Sequence, residues 1–255
     1  MEAQLELQIQ RLCTQADAGA VATGRFWNPE EQYRAAQYLK QIGRDPAAYA
    51  FFGGYETAER KALICLPDWC EGAFEPSLAA LCCAEICGSS FYTLSHPQYL
   101  GSLLALGIER NTLGDIVPLS PYRAAVFVTE PIAAFLYSDE RPLQRVAADT
   151  VKVRPFEVPK DFCPERRVER ICDTVASARL DCVVGALTKL SREKAKTLLQ
   201  SGKVRLNFCE TTAPDRTVQE GDTVSITGAG RFVIEACSAH TRKDRIRLTA
   251  IHYIS

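Results

Sequence analysis

The sequence has little histidine, methionine or tryptophan. Its 255 residues hold three histidines, one methionine and two tryptophans. It has no run of eighteen apolar residues, so no transmembrane helix and no membrane insertion are expected. The opening MEAQLELQIQRLC lacks the charged and apolar regions of a signal peptide, so the expected location is cytoplasmic. There is no Gly-rich P-loop, no Rossmann glycine spacing and no methyl-donor loop after a strand. No C-x2-C pair occurs, and internal repeats and low-complexity segments are absent. These absences argue against nucleotide-cofactor chemistry and against a zinc site. Neither a cofactor nor a metal is expected.

Cysteine, by contrast, is abundant: there are eleven, an odd number. Without a secretory signal they are expected as reduced thiols. The tightest group is Cys65, Cys70, Cys82, Cys83 and Cys87, with His96 as the only nearby histidine. A metal site there is the alternative to the preferred reading, small buried hydrophobes. The net charge of −1 hides an asymmetry. Residues 1–159 hold 13 Lys+Arg against 19 Asp+Glu, whereas residues 160–255 hold 17 against 12. A basic C-terminal part suits a polyanionic partner.

Read in order, residues 5–17 and 29–42 have helical periodicity, the second with Asn28 as N-cap and Pro29 at the first helical position. Gly53-Gly54 marks a turn, with phosphate cradling by this loop as the alternative reading. Ala62–Leu66 reads as a buried strand. Leu78–Cys87 reads as a strand and His96–Leu106 as a helix ending at Gly107. Asp115–Pro118 and Arg123–Thr129 follow as strands, Pro131–Tyr137 as a helix and Thr150–Phe156 as a strand. That is the β-α-β-β-α-β order of ferredoxin-like and RRM modules, but without the aromatic RNP1 signature that stacks bases. Within it, His96, Arg110, Asn111 and Asp115 invite an acid–base reading. The preferred reading is structural: His96 caps its helix, Asp115 holds the turn at Gly114, and Arg110 is a secondary RNA contact. The Pro-containing, mixed-charge residues 157–178 read as a linker.

The stretch RLDCVVGALTKLSREKAKTLLQSGKVRLNFCETTAPDRTVQEGDTVSITG, Arg179 to Gly228, is the most informative. Leu180, Val183, Val184 and Leu187 lie on one helix face. Ser191 caps a second helix, with Glu193 in its first turn and Ala195, Leu198 and Leu199 as its apolar stripe. Gly202 ends that helix, and Val204, Leu206 and Phe208 alternate as a strand. After Gly228, RFVIEACSAH and DRIRLTAIHYI read as a hairpin joined by TRKD. The residues Arg179-Leu180-Asp181, Ser191-Arg192, Ala195, Gly202-Lys203-Val204, Asn207 and Gly221-Asp222 resemble the S4 RNA-binding domain. Phe208 departs from that pattern, since many S4 domains have Gly there. Pseudouridine synthases carry a catalytic Arg-Leu-Asp, but Cys182-Val183-Val184-Gly185 does not continue that motif, and no catalytic role is assigned.

From about residue 25 to 250 the chain also resembles the YlmH family of bacterial S4-domain proteins, through FFGGYETAERKALICLPDW, TLSHPQYLGSLLALGIERNTLGDIV and SARLD. It is similar, too, to related plant and cyanobacterial proteins named for photosystem II. The expected fold is α+β: an N-terminal helical region with a β-hairpin (1–74), an RRM-like middle domain (75–157), a linker (158–178) and an S4 (αL) domain with a terminal hairpin (179–255). The resemblance implies a non-enzymatic, monomeric, RNA-binding protein. Its partner would be 23S rRNA of the 50S subunit, with peptidyl-tRNA as a further partner, in rescue of stalled complexes; no DNA is expected. The expected RNA contacts are Arg179, Lys189, Ser191, Arg192, Lys194, Lys196, Lys203, Arg205 and Asn207, with Arg110 in the middle domain. Arginine suits bidentate phosphate contact and lysine acts as a point charge. An RNA-modifying enzyme, or an interaction factor for cell division or photosystem assembly, stands as the alternative.

Overall fold

A computed structural model describes residues 2–140, 142–164, 168–240 and 245–253. The chain divides into two compact units, residues 1–164 and 165–255. Both are mixed α and β with antiparallel sheets.

The first unit opens with α1 (Glu2–Asp17), β1 (Ala22–Trp27) and α2 (Pro29–Gln41), followed by β2 (Tyr49–Phe52) and β3 (Lys61–Cys65). The start of α2 is fixed as its sequence suggests. Asn28 Oδ1 accepts the Glu31 N–H at 2.9 Å, and Glu31 Oε2 accepts the Asn28 N–H at 2.8 Å. This reciprocal box satisfies two donors that a helix start leaves open. The strands order as β1-β3-β2, and Ile9, Ala35, Leu39 and Leu63 are fully buried between this sheet and the helices.

Next come β4 (Leu81–Cys87), α3 (His96–Ala105), β5 (Leu113–Ser120), β6 (Arg123–Thr129) and α4 (Glu130–Leu136). A two-stranded ribbon, β7 (Arg145–Val146) and β8 (Asp149–Thr150), precedes β9 (Lys152–Pro155). The sheet order is β5-β6-β4-β9, and every neighbouring pair is antiparallel. Alternation assigns the two faces. Ala84, Ile86, Val126 and Val128 pack with Tyr99, Leu103, Ala133 and Leu136 of the two helices. Cys83, Ala125 and Phe127 face the other way, where Phe26, Tyr55 and Ala58 from the N-terminal part share their core. The expected boundary at residues 74/75 therefore runs through a continuous apolar cluster. Phe127 is fully buried, with its ring centroid 4.8 Å from that of Tyr55 and 6.1 Å from that of Phe162.

The second unit starts at β10 (Val168–Val175) and continues through α5 (Leu180–Thr188), α6 (Arg192–Gln200), β11 (Val204–Leu206), β12 (Cys209–Glu210), β13 (Thr223–Ile226), β14 (Gly230–His240) and β15 (Ile246–Tyr253). One sheet holds them in the order β10-β15-β14-β13-β11-β12. The expected linker is corrected here. Val168 through Val175 pair residue by residue with Tyr253 through Ile246, so residues 168–175 of that stretch form an edge strand rather than a linker. Residues 165–167 of the linker, and the TRKD connection at 241–244, lie outside the described residues. Leu180, Val183, Val184, Ala195 and Leu199 of the helix pair are all fully buried with Val204, Val224, Phe232 and Leu248 of the sheet. At about 1.5–3 kcal/mol for each large apolar side chain, this burial holds the helices on the sheet.

The strand expected over Val204–Phe208 stops at Leu206. Asn207 and Phe208 both have positive φ, 49° and 66°, and turn the chain tightly into β12. Two positive φ values in a two-residue hairpin turn match the twist of its strands. Phe208 adopts this conformation without the glycine common in S4 domains.

Candidate nucleic-acid interface

The helix pair of the second unit is organised around a carboxylate. Asp181 is fully buried on α5, and two arginines reach it. Arg179 donates from Nε to Oδ1 at 3.2 Å, and Arg192, at the start of α6, donates from Nε to Oδ2 at 2.9 Å. The Cys182 N–H adds a third donor at 3.0 Å. Burial pushes the Asp181 carboxyl upward, but the hydrogen bonds from Arg192 and Arg179 outweigh it and hold it below the usual aspartate range. It is therefore ionised, and it orients both guanidinium groups. Their side chains stay 40% and 54% exposed.

The ends of the helices complete this geometry. The first N–H groups of α5 are closed off, since Leu180 N donates to Arg216 O at 2.8 Å and Asp181 N to Pro214 O at 3.0 Å. Between the helices, Lys189 takes φ 55°, and Leu190 N donates to Gly185 O at 3.0 Å. A left-handed residue and a bond five residues back end the helix and redirect the chain. Ser191 caps α6 as expected, accepting the Lys194 N–H at 3.5 Å, a long contact. Lys189, Lys194, Lys203 and Arg205 are exposed. Lys196 is tied to Glu193 at 3.2 Å on the helix surface, an exposed pair of small energetic weight.

Two expected contacts have other work. The Asn207 side chain donates to Asp222 Oδ1 at 2.7 Å and accepts the Thr223 N–H at 2.9 Å. Both ends of its amide are engaged in holding the hairpin turn. Arg110, in the first unit, is half buried and donates from Nη1 to Leu113 O at 2.7 Å. Burial, then the neighbouring Arg60, lowers its pKa from the ordinary arginine value. Its guanidinium braces its own loop through the Leu113 and Gly114 carbonyls.

His96, Arg110 and Asp115 do come together: burial, then Arg110, lowers the His96 pKa against the opposing pull of Asp115, but the Asp115 carboxylate is engaged elsewhere. Asp115 accepts the Tyr55 hydroxyl at 2.6 Å and the Glu59 and Arg60 N–H groups at 2.7 and 3.0 Å. It holds the 53–60 loop rather than the turn at Gly114. The anion cradled by that loop is thus the protein's own. Gly54 (φ 97°) lies so close over Phe127 that an added Cβ would meet the ring at 2.2 Å, so the glycine pair is structural. Ser95, not His96, is the N-cap of α3, and its N–H donates to Gln98 Oε1 at 2.8 Å. Among the described residues no group of three or more His, Cys, Asp or Glu could hold a metal.

One cluster went unread in the sequence. Glu85 sits 1% exposed in the middle of β4, bonded by Arg123 Nε and Arg154 Nε at 2.6 Å each. Burial pushes its carboxyl up, but the hydrogen bonds from Arg154 and Arg123 bring it below the usual glutamate range. The available signal was a lone carboxylate in the apolar run Leu81–Cys87, which burial obliges to find cations.

Known proteins resemble this chain in sequence. A family model described as "Putative RNA-binding domain in YlmH" matches residues 80–159, the segment of the four-stranded sheet. The "Ribosome-associated protein quality control protein P2" of Bacillus subtilis (strain 168) is 31% identical over 227 residues, 88% of this chain and 84% of that protein. The chain belongs to the YlmH family. A solved structure, "Cell division protein ylmH from Streptococcus pneumoniae", is similar at a TM-score of 0.49 and 19% identity, over 64% of this chain and 94% of that one. Within the YlmH family model fall Glu85, Arg110, Arg123 and Arg154, whereas the Asp181-centred helix pair lies beyond its matched residues.

Proposed function

We propose that this YlmH-family chain is a non-enzymatic RNA-binding protein that acts on the large ribosomal subunit in quality control of stalled peptidyl-tRNA complexes. In this reading the first unit's four-stranded sheet is a ferredoxin-like, RRM-like module, and the second unit carries an S4 domain. The observation that carries the proposal is the kinship across 88% of the chain with a relative named for ribosome-associated quality control. The helix pair supports it chemically. Arg179 and Arg192 are pre-oriented by Asp181, and Lys189, Lys194 and Lys203 are exposed on the same helix pair and its flanks. Such a set suits the phosphate backbone and shape of folded rRNA more than base edges. A cytoplasmic location follows from the ribosomal role, and no described helix is long and apolar enough to cross a membrane. Co-sedimentation of the full chain with purified 50S subunits tests the proposal. Recovery in the 50S pellet, competed by added rRNA, is expected; a chain left in the supernatant at low salt overturns it.

A further inference from the structure

The face of the four-stranded sheet that points away from α3 and α4 is covered only in part. Its Phe127 end lies beneath Tyr55 and Phe162. At the other end of β4, Cys87 pairs with Arg123 on one side and Lys152 on the other, and Glu85 pairs with Arg154. Directly opposed residues share a face. Arg123, Arg154 and Lys152 therefore gather at this end, with the two arginine side chains 39% and 62% exposed and Lys152 exposed. Two acids at this end, Glu85 and Asp149, are each 1% exposed and hydrogen-bonded inside the protein. What they leave facing outward is positive, and the arginines are already held in place.

Two aromatic rings stand on the loop that leaves this end of β4 and leads to α3. The loop after β4 is pinned to the turn before Arg123 by Gly88 N to Tyr122 O at 2.8 Å and Leu94 N to Pro121 O at 2.7 Å. Ser89 N anchors it again on Asp149 Oδ2 at 3.0 Å. From this tethered loop Phe91 projects 88% exposed and Tyr92 51% exposed. A phenylalanine left in water forgoes about 1.5–3 kcal/mol of burial, so two such rings together beside cations call for a partner with flat apolar faces and negative charge. Unpaired nucleotides have both.

We infer that the Cys87 end of this sheet is a second RNA contact, which takes one or two unpaired nucleotides. Phe91 and Tyr92 stack on the bases, and Arg123, Arg154 and Lys152 hold the adjoining phosphates. The inference rests on the RNA-binding reading and deepens it, because it assigns single-stranded RNA to the first unit and folded rRNA to the second.

The test uses the full chain and a fluorescently labelled single-stranded RNA of mixed sequence, about ten nucleotides long, followed by anisotropy across a salt series. The Phe91→Ala, Tyr92→Ala double variant should bind about tenfold more weakly, the scale of one lost base stack. Lys152→Ala should lower the salt slope by about 0.7, one phosphate contact on a single strand. Removing Arg123 alone takes away one of the two cations that hold Glu85, so Arg123→Gln is paired with Glu85→Gln; this pair should also weaken binding. Lys194→Ala with Lys203→Ala should leave the oligonucleotide affinity unchanged while weakening 50S binding. Undiminished oligonucleotide affinity in the Phe91, Tyr92 variant overturns the inference. So does a parent chain that binds 50S subunits but not the oligonucleotide, or loss of a co-purifying protein, rather than RNA, on substitution. Failure of the parent chain to bind 50S subunits is a different result and counts against the ribosomal reading itself.

Discussion

Glu85 and Asp181 are both buried carboxylates held by two arginines, one in each unit of the chain, and they differ in where the arginines come from. Asp181 is served locally: Arg179 is two residues away and Arg192 eleven. Glu85 is served across a sheet, by Arg123 at a separation of 38 residues and Arg154 at 69. In both, hydrogen bonds from the cations overcome burial and keep the acid ionised. The consequences diverge. The clamp on Asp181 fixes one helix against the next and aims its arginines from a helix pair. The clamp on Glu85 ties three strands together and aims its arginines from a sheet face. A buried ion pair contributes little net stability compared with an apolar replacement, so the value of both clamps lies in orientation.

Stranding each acid in turn is the largest perturbation of the two clamps. Arg179→Gln with Arg192→Gln leaves the Asp181 carboxylate buried without a cation, and a stranded buried charge destabilises by about 3–5 kcal/mol. Arg123→Gln with Arg154→Gln should do the same to Glu85. Hydrogen exchange read separately over residues 1–164 and 165–255 should show each double variant loosening only its own unit. Loss of protection in both units from either variant would mean that the clamps are not independent.

Acid provides a second, smaller perturbation. Both carboxyls have folded pKa values depressed below their ordinary values of 4.5 for Glu85 and 3.8 for Asp181. The stability each contributes is therefore fully present above the ordinary pKa and is lost as pH falls through the depressed one. Chemical denaturation between pH 6 and pH 2, both rough bounds around the ordinary carboxyl values, should show stability declining below about pH 4.5. Glu85→Gln paired with Arg123→Gln should make that decline shallower. An unchanged acid profile in the paired variant would remove Glu85 from the account.

The local clamp was legible in the sequence and the long-range one was not. Arg179-Leu180-Asp181 and Ser191-Arg192 stand within one helix–turn–helix, so periodicity and capping placed them on two successive helices. Nothing local connects Glu85 to Arg154; only the antiparallel register of β4 and β9 does so. The same reason explains Asp115, whose partners Tyr55, Glu59 and Arg60 are at least 55 residues away. The edge strand β10 was missed because its pattern is mixed and its pairing partner, β15, lies at the far end of the chain. Asn207 was named as a contact through the S4 resemblance; that its amide also holds a positive φ turn depends on Asp222 and Thr223, fifteen and sixteen residues on.

A gentler change separates fold from function in the helix pair. Lys189 sits at φ 55°, where a β-carbon is strained and glycine is not. Lys189→Gly should raise stability by about 1 kcal/mol in thermal or urea unfolding while weakening RNA binding through the lost charge. A loss of stability would show that the lysine side chain, rather than its backbone conformation, supports the turn.

We propose that the exposed cations of the second unit's helix pair contact ribosomal phosphates. The most direct test is the salt dependence of 50S binding by the full chain and by Lys194→Ala with Lys203→Ala. Each phosphate contact contributes about one unit to the slope of log affinity against log salt, so the double variant should bind more weakly with a slope shallower by about two. An unchanged affinity and an unchanged slope would contradict the claim.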